Sequence, residues 1–332
     1  MRIAIVGVGA VGCLIAARLS SDAHQVTLIA RNTAAVRTIR REGIEMTAPD
    51  GQITRHFVDI TDDPLSIGQQ DLVILCVKAY SLPGVLATLA QLIGPRTAIV
   101  PLINGIPWWY PHGQPAPLEG RRLRSLDEDG SLAAMPLDRV VGALTYVAVE
   151  TLGVGRIRHV NGWQFMFGDP APPRGARKAG QATAEEIAAV FRAGGLEGTA
   201  VADIRSHIWT KLWGNLAINP LSVLTGAGMG AICTDPGVGA VVRDMMEEAE
   251  RVALRLGVRF ALSLEDRLAA SAAIGDFKTS MLQDYQAGKR LELDAILGAV
   301  IELAALVDVD VPHMRMIHAL TALRAQTRDD DA

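Results

Sequence analysis

The feature that most constrains the fold is a glycine-rich turn close to the N-terminus. Positions 7–12 read GVGAVG and come directly after the apolar, strand-like run Ile3–Val6. In a strand–turn–helix unit, the first glycine allows a tight turn, the second lets a pyrophosphate approach the backbone, and the third lets the helix pack on the strand. The free N–H groups at the helix N-terminus then attract the anion. The turn predicts a dinucleotide-binding site formed by Gly7, Val8, Gly9, Ala10, Val11 and Gly12.

Short apolar runs alternate with helical segments through the first part of the chain. The runs Ile3–Val6, Gln25–Ile29, Leu72–Val77 and Thr97–Leu102 have the composition of buried strands. Alternation of this kind is typical of a parallel sheet with right-handed crossovers. After Asp203, strand patterns nearly vanish and periodic apolar helices replace them. We therefore predict an α/β fold: an N-terminal Rossmann-type parallel-sheet domain followed by an all-helical C-terminal domain.

These changes of pattern predict where the domains begin and end. We expect residues 1–202 to form the sheet domain, with 111–137 as a surface insertion in it. We expect 203–326 to form the helical domain, and 327–332, which contain three consecutive aspartates, to be a disordered tail. The Pro- and Gly-rich stretch 170–180 is predicted to be a turn-rich connection.

Composition excludes several other classes of protein. The 332 residues include 32 basic and 36 acidic ones, a net charge of −4, so the chain lacks the cationic excess that nucleic-acid binding needs. The apolar stretch Ala295–Val309 carries two carboxylates and is shorter than a bilayer span, so we expect no membrane segment. Cys13, Cys76 and Cys233 lie far apart, which predicts neither a disulfide framework nor a metal site and favours a cytoplasmic location.

Arg31 bears on which dinucleotide is bound. An NAD site usually has Asp or Glu at the end of the second strand, where the carboxylate holds the ribose 2′-hydroxyl. Here the strand Gln25–Ile29 is followed by Ala30, Arg31 and Asn32, with no carboxylate. An arginine suits a 2′-phosphate through charge-assisted hydrogen bonds. The sequence therefore favours NADPH/NADP with Arg31 as a contact, and the alternative that Arg31 is only a surface charge stays open.

A polar stripe marks one helix of the second domain. Lys211, Asn215 and Asn219 are spaced four residues apart in an otherwise apolar segment, so they share one helical face. Such groups are unfavourable in apolar surroundings unless they meet a polar ligand or satisfied partners. One interpretation is a lysine that donates a proton to a carbonyl oxygen while the amides orient the substrate. The other is a packed helix from which Lys211 reaches solvent.

Together these landmarks resemble the ketopantoate reductase (2-dehydropantoate 2-reductase) family. The resemblance spans nearly the whole chain, and its landmarks in order are Gly7–Gly12, Arg31, Val77-Lys78-Ala79, Asn104-Gly105, the Lys211/Asn215/Asn219 helix, Ser280–Asp284 and Glu292-Leu293-Asp294. It implies an oxidoreductase of pantothenate biosynthesis that uses NADPH to reduce a small 2-oxo acid to the 2-hydroxy acid. It also implies an active site in a cleft between the two domains.

The resemblance assigns roles to individual residues. Lys211 matches the catalytic proton donor, which also contacts the substrate. Further cofactor contacts are implied at Lys78, Asn104, Ala148 and Glu292, and further substrate contacts at Asn215, Asn219 and Ser280.

Departures from the family pattern put the exact substrate in question. Met229 and Phe277 lie where known ketopantoate enzymes have polar residues, and the aromatic run Trp108–Tyr110 follows the Asn104 motif. Lost hydrogen-bond partners change discrimination strongly. A more apolar 2-oxo acid is therefore one alternative, and a non-catalytic NADP-binding sensor is another. The later helices leave open whether their apolar faces form a homodimer or an internal core.

Overall fold

The computed structural model describes residues 1–21, 23–170, 180–275 and 277–330. Residues 328–330 are described by their backbone only. The predicted connection at 170–180 therefore lies almost entirely outside the described residues. The chain divides into two compact units. The first comprises residues 1–103 and 132–204, and the second comprises 104–131 and 205–332.

The first unit is built on a five-stranded parallel sheet, as predicted. Its strand order is β5-β2-β1-β6-β7, so the chain moves outward from β1 through β2 and then returns to the other side of β1 with β6. Ligands of such sheets bind at the carboxyl ends of the strands, where the strand order reverses. The strands are β1 (Arg2–Val6), β2 (Gln25–Ile29), β3 (Ile44–Thr47), β4 (Ile53–His56), β5 (Asp59–Thr61), β6 (Gln70–Leu75), β7 (Ile93–Pro101), β8 (Gly142–Gly153), β9 (Arg156–Gly168) and β10 (Glu197–Ala200).

A second, mixed sheet completes this unit. The long strand β9 pairs antiparallel with β8, and on its other edge it pairs in parallel with β3 and then with β10, while β4 extends β3. The helices are α1 (Ala10–Leu19), α2 (Thr33–Glu42), α3 (Leu86–Leu92) and α4 (Ala184–Ala193), with 3₁₀ turns at Pro64–Ser66, Ala79–Ser81, Pro83–Val85, Ser131–Ala134 and Leu137–Arg139.

Helix α1 contacts β1 and β2 of the parallel sheet and also β8 and β9 of the second sheet. Apart from Arg18, its sequence AVGCLIAARL is accordingly apolar, as expected for a helix buried on both sides. The residues from Gly12 to Ala17 and Leu19 are all buried. This packing fixes the N-terminal end of α1, and with it the glycine-rich turn, at the end of β1.

From Arg205 on, the second unit is built from helices and has no strand among its described residues, as predicted. Helix α5 carries Pro220 in its interior, and a π-helical turn, Asp294–Gly298, leads directly into α10. The helices are α5 (Ile204–Thr225), α6 (Met229–Thr234), α7 (Pro236–Arg255), α8 (Leu264–Ala272), α9 (Ser280–Gln286), α10 (Ala299–Leu306) and α11 (Pro312–Asp330).

The segment after β7 differs from the prediction. We expected 111–137 to be an insertion of the sheet domain, but residues 104–131 belong to the helical unit. The physical reason is burial, because this segment contributes Ile106, Tyr110, Leu118 and Leu123 to the apolar core of that unit. Only its end, from Leu132 on, returns to the first unit.

The C-terminus also differs from the prediction. Residues 327–330 continue α11, which ends at Asp330, so only 331 and 332 lie outside the described residues. Within the helix, Thr327 Oγ1 donates a hydrogen bond to the Leu323 carbonyl. The charged residues at 327–330 gave no indication in the sequence that the helix continues through them.

Neither a membrane-spanning helix nor a metal-binding cluster is found among the described residues. None of the described helices is long and apolar enough to cross a membrane. Across residues 1–21, 23–170, 180–275 and 277–330, we find no group of three His, Cys, Asp or Glu side chains placed to hold a metal ion.

Candidate active site

The glycine-rich turn joins β1 to α1 in the first unit. Gly7 has a φ of +117°, and a Cβ added to it would collide with the carbonyl oxygen of Cys76. A Cβ on Gly12 would collide with the carbonyl oxygen of Gly7. Both positions therefore require glycine for the turn to close. The Gly7 N–H donates to the Ile29 carbonyl at 3.0 Å, which ties the turn to the end of β2.

Gly9 is different, because no contact within the protein requires glycine at this position. Its φ is −74°, which any residue adopts, and a Cβ there would have no atom within 4 Å. Gly9 is also the N-cap of α1, and no side chain caps that helix. The first N–H groups of a helix lack partners within the helix itself. Open space over uncapped N–H groups fits the pyrophosphate of a dinucleotide, so the residues present suit the predicted cofactor.

Arg31 lies two residues beyond β2 and is exposed. Next to it, Asn32 Oδ1 accepts a hydrogen bond of 2.8 Å from the Ala34 N–H and caps α2. Asn32 therefore has a structural role at this turn, while the guanidinium of Arg31 lies at the surface. Its role as a 2′-phosphate contact stays a prediction.

Two further predicted cofactor contacts lie in the first unit. Lys78 is partly buried and comes three residues after the end of β6, where it begins a 3₁₀ turn. Ala148 lies on β8 opposite Asn161, at an irregularity in the β8–β9 ladder. Lys78 thus follows a strand of the parallel sheet, whereas Ala148 belongs to the second sheet. The roles of both stay predictions.

In the second unit, three predicted residues form one hydrogen-bonded chain. The Lys211 ammonium donates to Asn104 Oδ1 at 3.1 Å, and the Asn104 amide donates in turn to Glu292 Oε2 at 3.3 Å. Sequence separations of 107 and 188 residues are bridged by these two contacts. Glu292 is only 6% exposed. The structure therefore joins a lysine, an amide and a buried carboxylate that the sequence presents far apart.

The surroundings of Lys211 shift its acidity. Burial lowers the pKa of Lys211 and the charge of Glu292 raises it, and together they give a pKa of about 8. The ammonium is therefore still mostly protonated at neutral pH, yet it loses a proton far more easily than a surface lysine. This is the acidity expected of a group that donates a proton during a reaction.

Backbone contacts hold Asn104 in place. The next residue, Gly105, has a φ of +81°, and a Cβ on it would collide with the Ala295 carbonyl. The Ile106 N–H donates to that same carbonyl at 2.8 Å. Ala295 lies in the π-helical turn that follows Glu292 within two residues. One short stretch of backbone thus positions both Asn104 and Glu292.

The two asparagines of the α5 stripe lie on the same helix face as Lys211. Asn215 is partly buried and Asn219 is 5% exposed. Among the described residues, neither side-chain amide has a hydrogen-bond partner, although both groups can donate and accept. A polar ligand can supply the hydrogen bonds that these amides can make, so this face is suited to one.

Ser280 begins α9, and its side chain is exposed. The preceding Thr279 is buried and lies 2.6 Å from Ser222, hydroxyl to hydroxyl. Ser222 Oγ also donates to the Asn219 carbonyl at 2.6 Å, so the Thr279 hydroxyl must be the donor between the two. These bonds tie the start of α9 to the Asn219 turn of α5. The sequence did not reveal the Ser222–Thr279 pair.

Most of the aromatic run belongs to the core rather than to a ligand surface. Trp109 and Tyr110 are 1% and 0% exposed, and Trp209 Nε1 donates to the Tyr110 hydroxyl at 2.7 Å. The Arg205 guanidinium lies over both rings, at 5.5 and 5.4 Å, and donates to the Tyr110 carbonyl. Only Trp108 is partly exposed. Nothing in the sequence predicted that Arg205 would contact Trp109 and Tyr110.

The two kinds of glycine in the turn predict separable effects. We expect Gly12→Ala to lower the free energy of unfolding by about 1–3 kcal/mol, because the new methyl group meets backbone. We expect Gly9→Ala to lower it by about 1 kcal/mol or less, the difference between glycine and alanine at an N-cap, while weakening dinucleotide binding. Chemical denaturation and NADPH fluorescence titration measure the two effects. Equal loss of stability in both variants would contradict the assignment.

The chain matches a known protein family over most of its length. Residues 3–172 match the family described as ketopantoate reductase PanE/ApbA, and residues 203–325 match its C-terminal domain. A 2-dehydropantoate 2-reductase of Mesorhizobium japonicum is 39% identical over 99% of both chains. A second, from Halobacterium salinarum, is 29% identical over 97% of this chain and 98% of its own.

Solved structures share the fold over the whole length. A Ralstonia solanacearum protein, provisionally described as a ketopantoate reductase, is 39% identical, covers 99% of this chain and 98% of its own, and superposes with a TM-score of 0.88. A D-mandelate dehydrogenase solved with NADH and anilino(oxo)acetate shares the fold at 21% identity, with a TM-score of 0.82 and coverage of 98% and 99%. The glycine turn, the Lys211 chain and these matches together show that the protein belongs to the ketopantoate reductase family.

Proposed function

We propose that the protein reduces a 2-oxo acid to a 2-hydroxy acid with NADPH, and that Lys211 donates the proton. Membership of the family supports an oxidoreductase that acts on 2-oxo acids with a nicotinamide cofactor. The observation that carries the finer proposal is the Lys211–Asn104–Glu292 chain, with the pKa of Lys211 lowered to about 8. When bound, the nicotinamide supplies the hydride.

The ammonium of Lys211 has N–H donors available to hydrogen-bond the keto oxygen of a substrate. It has three N–H donors, and Asn104 accepts one of them, which leaves two for a ligand. A hydrogen bond to the keto oxygen stabilises the negative charge that develops there, and proton transfer from Nζ then completes the alcohol. Glu292 keeps the ammonium protonated before the reaction, because its carboxylate raises the pKa of Lys211.

Asn104 is proposed to orient both of its partners. An amide has a distinct donor end and acceptor end, and here the acceptor faces Lys211 while the donor faces Glu292. This arrangement fixes the direction of both hydrogen bonds. The side chain is itself fixed, since its backbone is held against the Ala295 carbonyl.

The substrate is proposed to contact the polar face of α5. Asn215 and Asn219 are one and two turns beyond Lys211, so they can hydrogen-bond a carboxylate or hydroxyl while its keto oxygen lies at Lys211. Ser280 is the predicted carboxylate contact, and its hydroxyl is exposed. It is the first residue of α9, the helix that the Ser222 and Thr279 hydrogen bonds tie to the Asn219 turn of α5.

The preference for NADPH over NADH is proposed from Arg31. The guanidinium is exposed at the turn after β2, where the adenosine ribose lies in Rossmann-type sites. A charge-assisted hydrogen bond to a 2′-phosphate would favour NADPH. In the glycine turn, Gly9 and the uncapped N-terminus of α1 are proposed to hold the pyrophosphate.

A more apolar 2-oxo acid is the second candidate substrate, and one contact favours it. Met229 N–H donates to the Phe277 carbonyl at 3.0 Å, which brings the two apolar departures from the family pattern together. Both side chains are partly exposed. Ketopantoate and a panel of 2-oxo acids with larger apolar groups, each assayed by NADPH oxidation, distinguish the two candidates. A kcat/KM highest for ketopantoate supports the first.

A homodimer is proposed on the basis of α11. Met316, Leu320 and Leu323 are each about half exposed, and their spacing puts them on one face of the helix. An exposed apolar row of this kind is typical of an interaction surface. A structural relative from Staphylococcus aureus is described as a dimeric ketopantoate reductase.

Replacement of the proposed proton donor tests the mechanism. We expect Lys211→Ala to lower kcat for 2-oxo acid reduction by more than about 100-fold, because a positioned acid contributes about that much. NADPH affinity, read by fluorescence titration, should stay within a few fold of wild type. Lys289→Ala, which removes an exposed lysine, is the matched control and should keep full activity. Unchanged turnover in Lys211→Ala would refute the role of this lysine.

The pH dependence of reduction follows from the pKa of Lys211. The reaction needs the protonated amine, so kcat should be constant at neutral pH and fall as the pH rises through about 8. Glu292→Gln removes the charge that raises this pKa, so the fall should move to lower pH. Steady-state kinetics between pH 6 and about 10 measure both profiles. A fall at the same or a higher pH in Glu292→Gln would contradict the proposed coupling.

A further inference from the structure

The structure brings a carboxylate to the turn where the sequence shows only Arg31. Strand β5 pairs in parallel with β2, with Ile29 opposite Thr61, and the Ala30 N–H donates to the Thr61 carbonyl at 3.0 Å. By this register Asp62, which follows Thr61, lies opposite Ala30, the residue before Arg31. Asp62 and Arg31 are therefore one position apart in register. Both lie at the carboxyl end of the parallel sheet, where such sheets bind their ligands.

Asp62 is held toward the β2–α2 turn. The hydroxyl of Thr33, the first residue of α2, donates to Asp62 Oδ2 at 2.5 Å. Its neighbour Asp63 has another role, because Asp63 Oδ1 accepts from the Leu65 N–H at 3.0 Å and caps a 3₁₀ turn. The two adjacent carboxylates therefore differ in position, and only Asp62 is bonded to the turn that carries Arg31.

The environment keeps Asp62 ionised. The hydrogen bond from Thr33 lowers the pKa of this carboxyl, and the charges of Arg40 and Arg37 on α2 lower it further. Asp62 is exposed, and the described contacts engage one carboxylate oxygen with Thr33. A charged, exposed acceptor is thus hydrogen-bonded to the turn that carries Arg31.

We propose that Asp62 is a specificity-determining residue that limits the preference of this protein for NADPH over NADH. Its negative charge repels a 2′-phosphate, which opposes the attraction of Arg31, and its free oxygen can accept a hydrogen bond from the 2′-hydroxyl of NADH. In ordinary NAD sites the carboxylate follows the second strand itself. Here the neighbouring strand supplies it. The inference rests on the proposed cofactor site.

Equilibrium binding of the two cofactors tests this directly. NADPH and NADH are titrated into wild type, Asp62→Asn and the control Asp63→Asn, with binding read by nicotinamide fluorescence. We expect Asp62→Asn to shift the ratio of dissociation constants toward NADPH by about tenfold, the size of one charge-assisted interaction. Asp63→Asn removes the same charge one residue away and keeps a good capping side chain, so its ratio should stay within about twofold.

The outcomes separate this inference from the proposed function. A ratio that is unchanged in Asp62→Asn, or shifted equally by both variants, overturns the role of Asp62 while binding of NADPH by wild type upholds the cofactor site. Equal weakening of NADPH and NADH binding in Asp62→Asn also overturns it, because Asp62 would then contact a part of the dinucleotide that both cofactors share. Absence of binding of either cofactor to wild type refutes the proposed function, and this inference with it.

Discussion

The hydrogen bond from Lys211 to Asn104 is the interaction on which the proposed chemistry depends. Burial disfavours the charged form of Lys211 and lowers its pKa. Glu292 opposes that effect, and Asn104 connects the two groups with its acceptor end on the lysine. The result is an ammonium with a pKa near 8, acidic enough to donate and still mostly charged beforehand. Removing any one of the three groups would change the acidity or the direction of the donor.

Much of the remaining structure serves to hold the parts in place. Gly105 lets the chain after β7 pass so close to the π-helical turn that only a glycine fits, and this contact fixes Asn104 relative to Glu292. Arg205 anchors the following segment, because its guanidinium lies over the rings of Trp109 and Tyr110 and donates to the Tyr110 carbonyl. In the first unit, burial of α1 between two sheets has the same effect on the glycine turn. At both places, closely packed backbone positions the groups proposed to act.

The sequence was sufficient wherever one local pattern determines the structure. The Rossmann-type sheet, its glycine turn and the helical second unit were predicted, because strand runs, glycines and helical periods are local signals. The second sheet was not, since β3, β4 and β10 are four-residue strands, β4 is partly exposed, and their pairing depends on the distant β9. The placement of 104–131 failed for a related reason, as its core contacts are with residues far along the chain. Asp62 escaped notice because β5 is three residues long, and only pairing with β2 reveals its position.

The central claim is that Lys211 has an unusual acidity, and this can be measured without substrate or cofactor. The chain contains only five lysines, so ¹³C-labelled lysine side chains give few resonances, and Lys211→Arg identifies the relevant one. An NMR titration of the free protein should show one lysine with a midpoint near 8, and that resonance should be missing from Lys211→Arg. A Lys211 resonance that titrates above about 10, as an ordinary lysine does, would contradict the account.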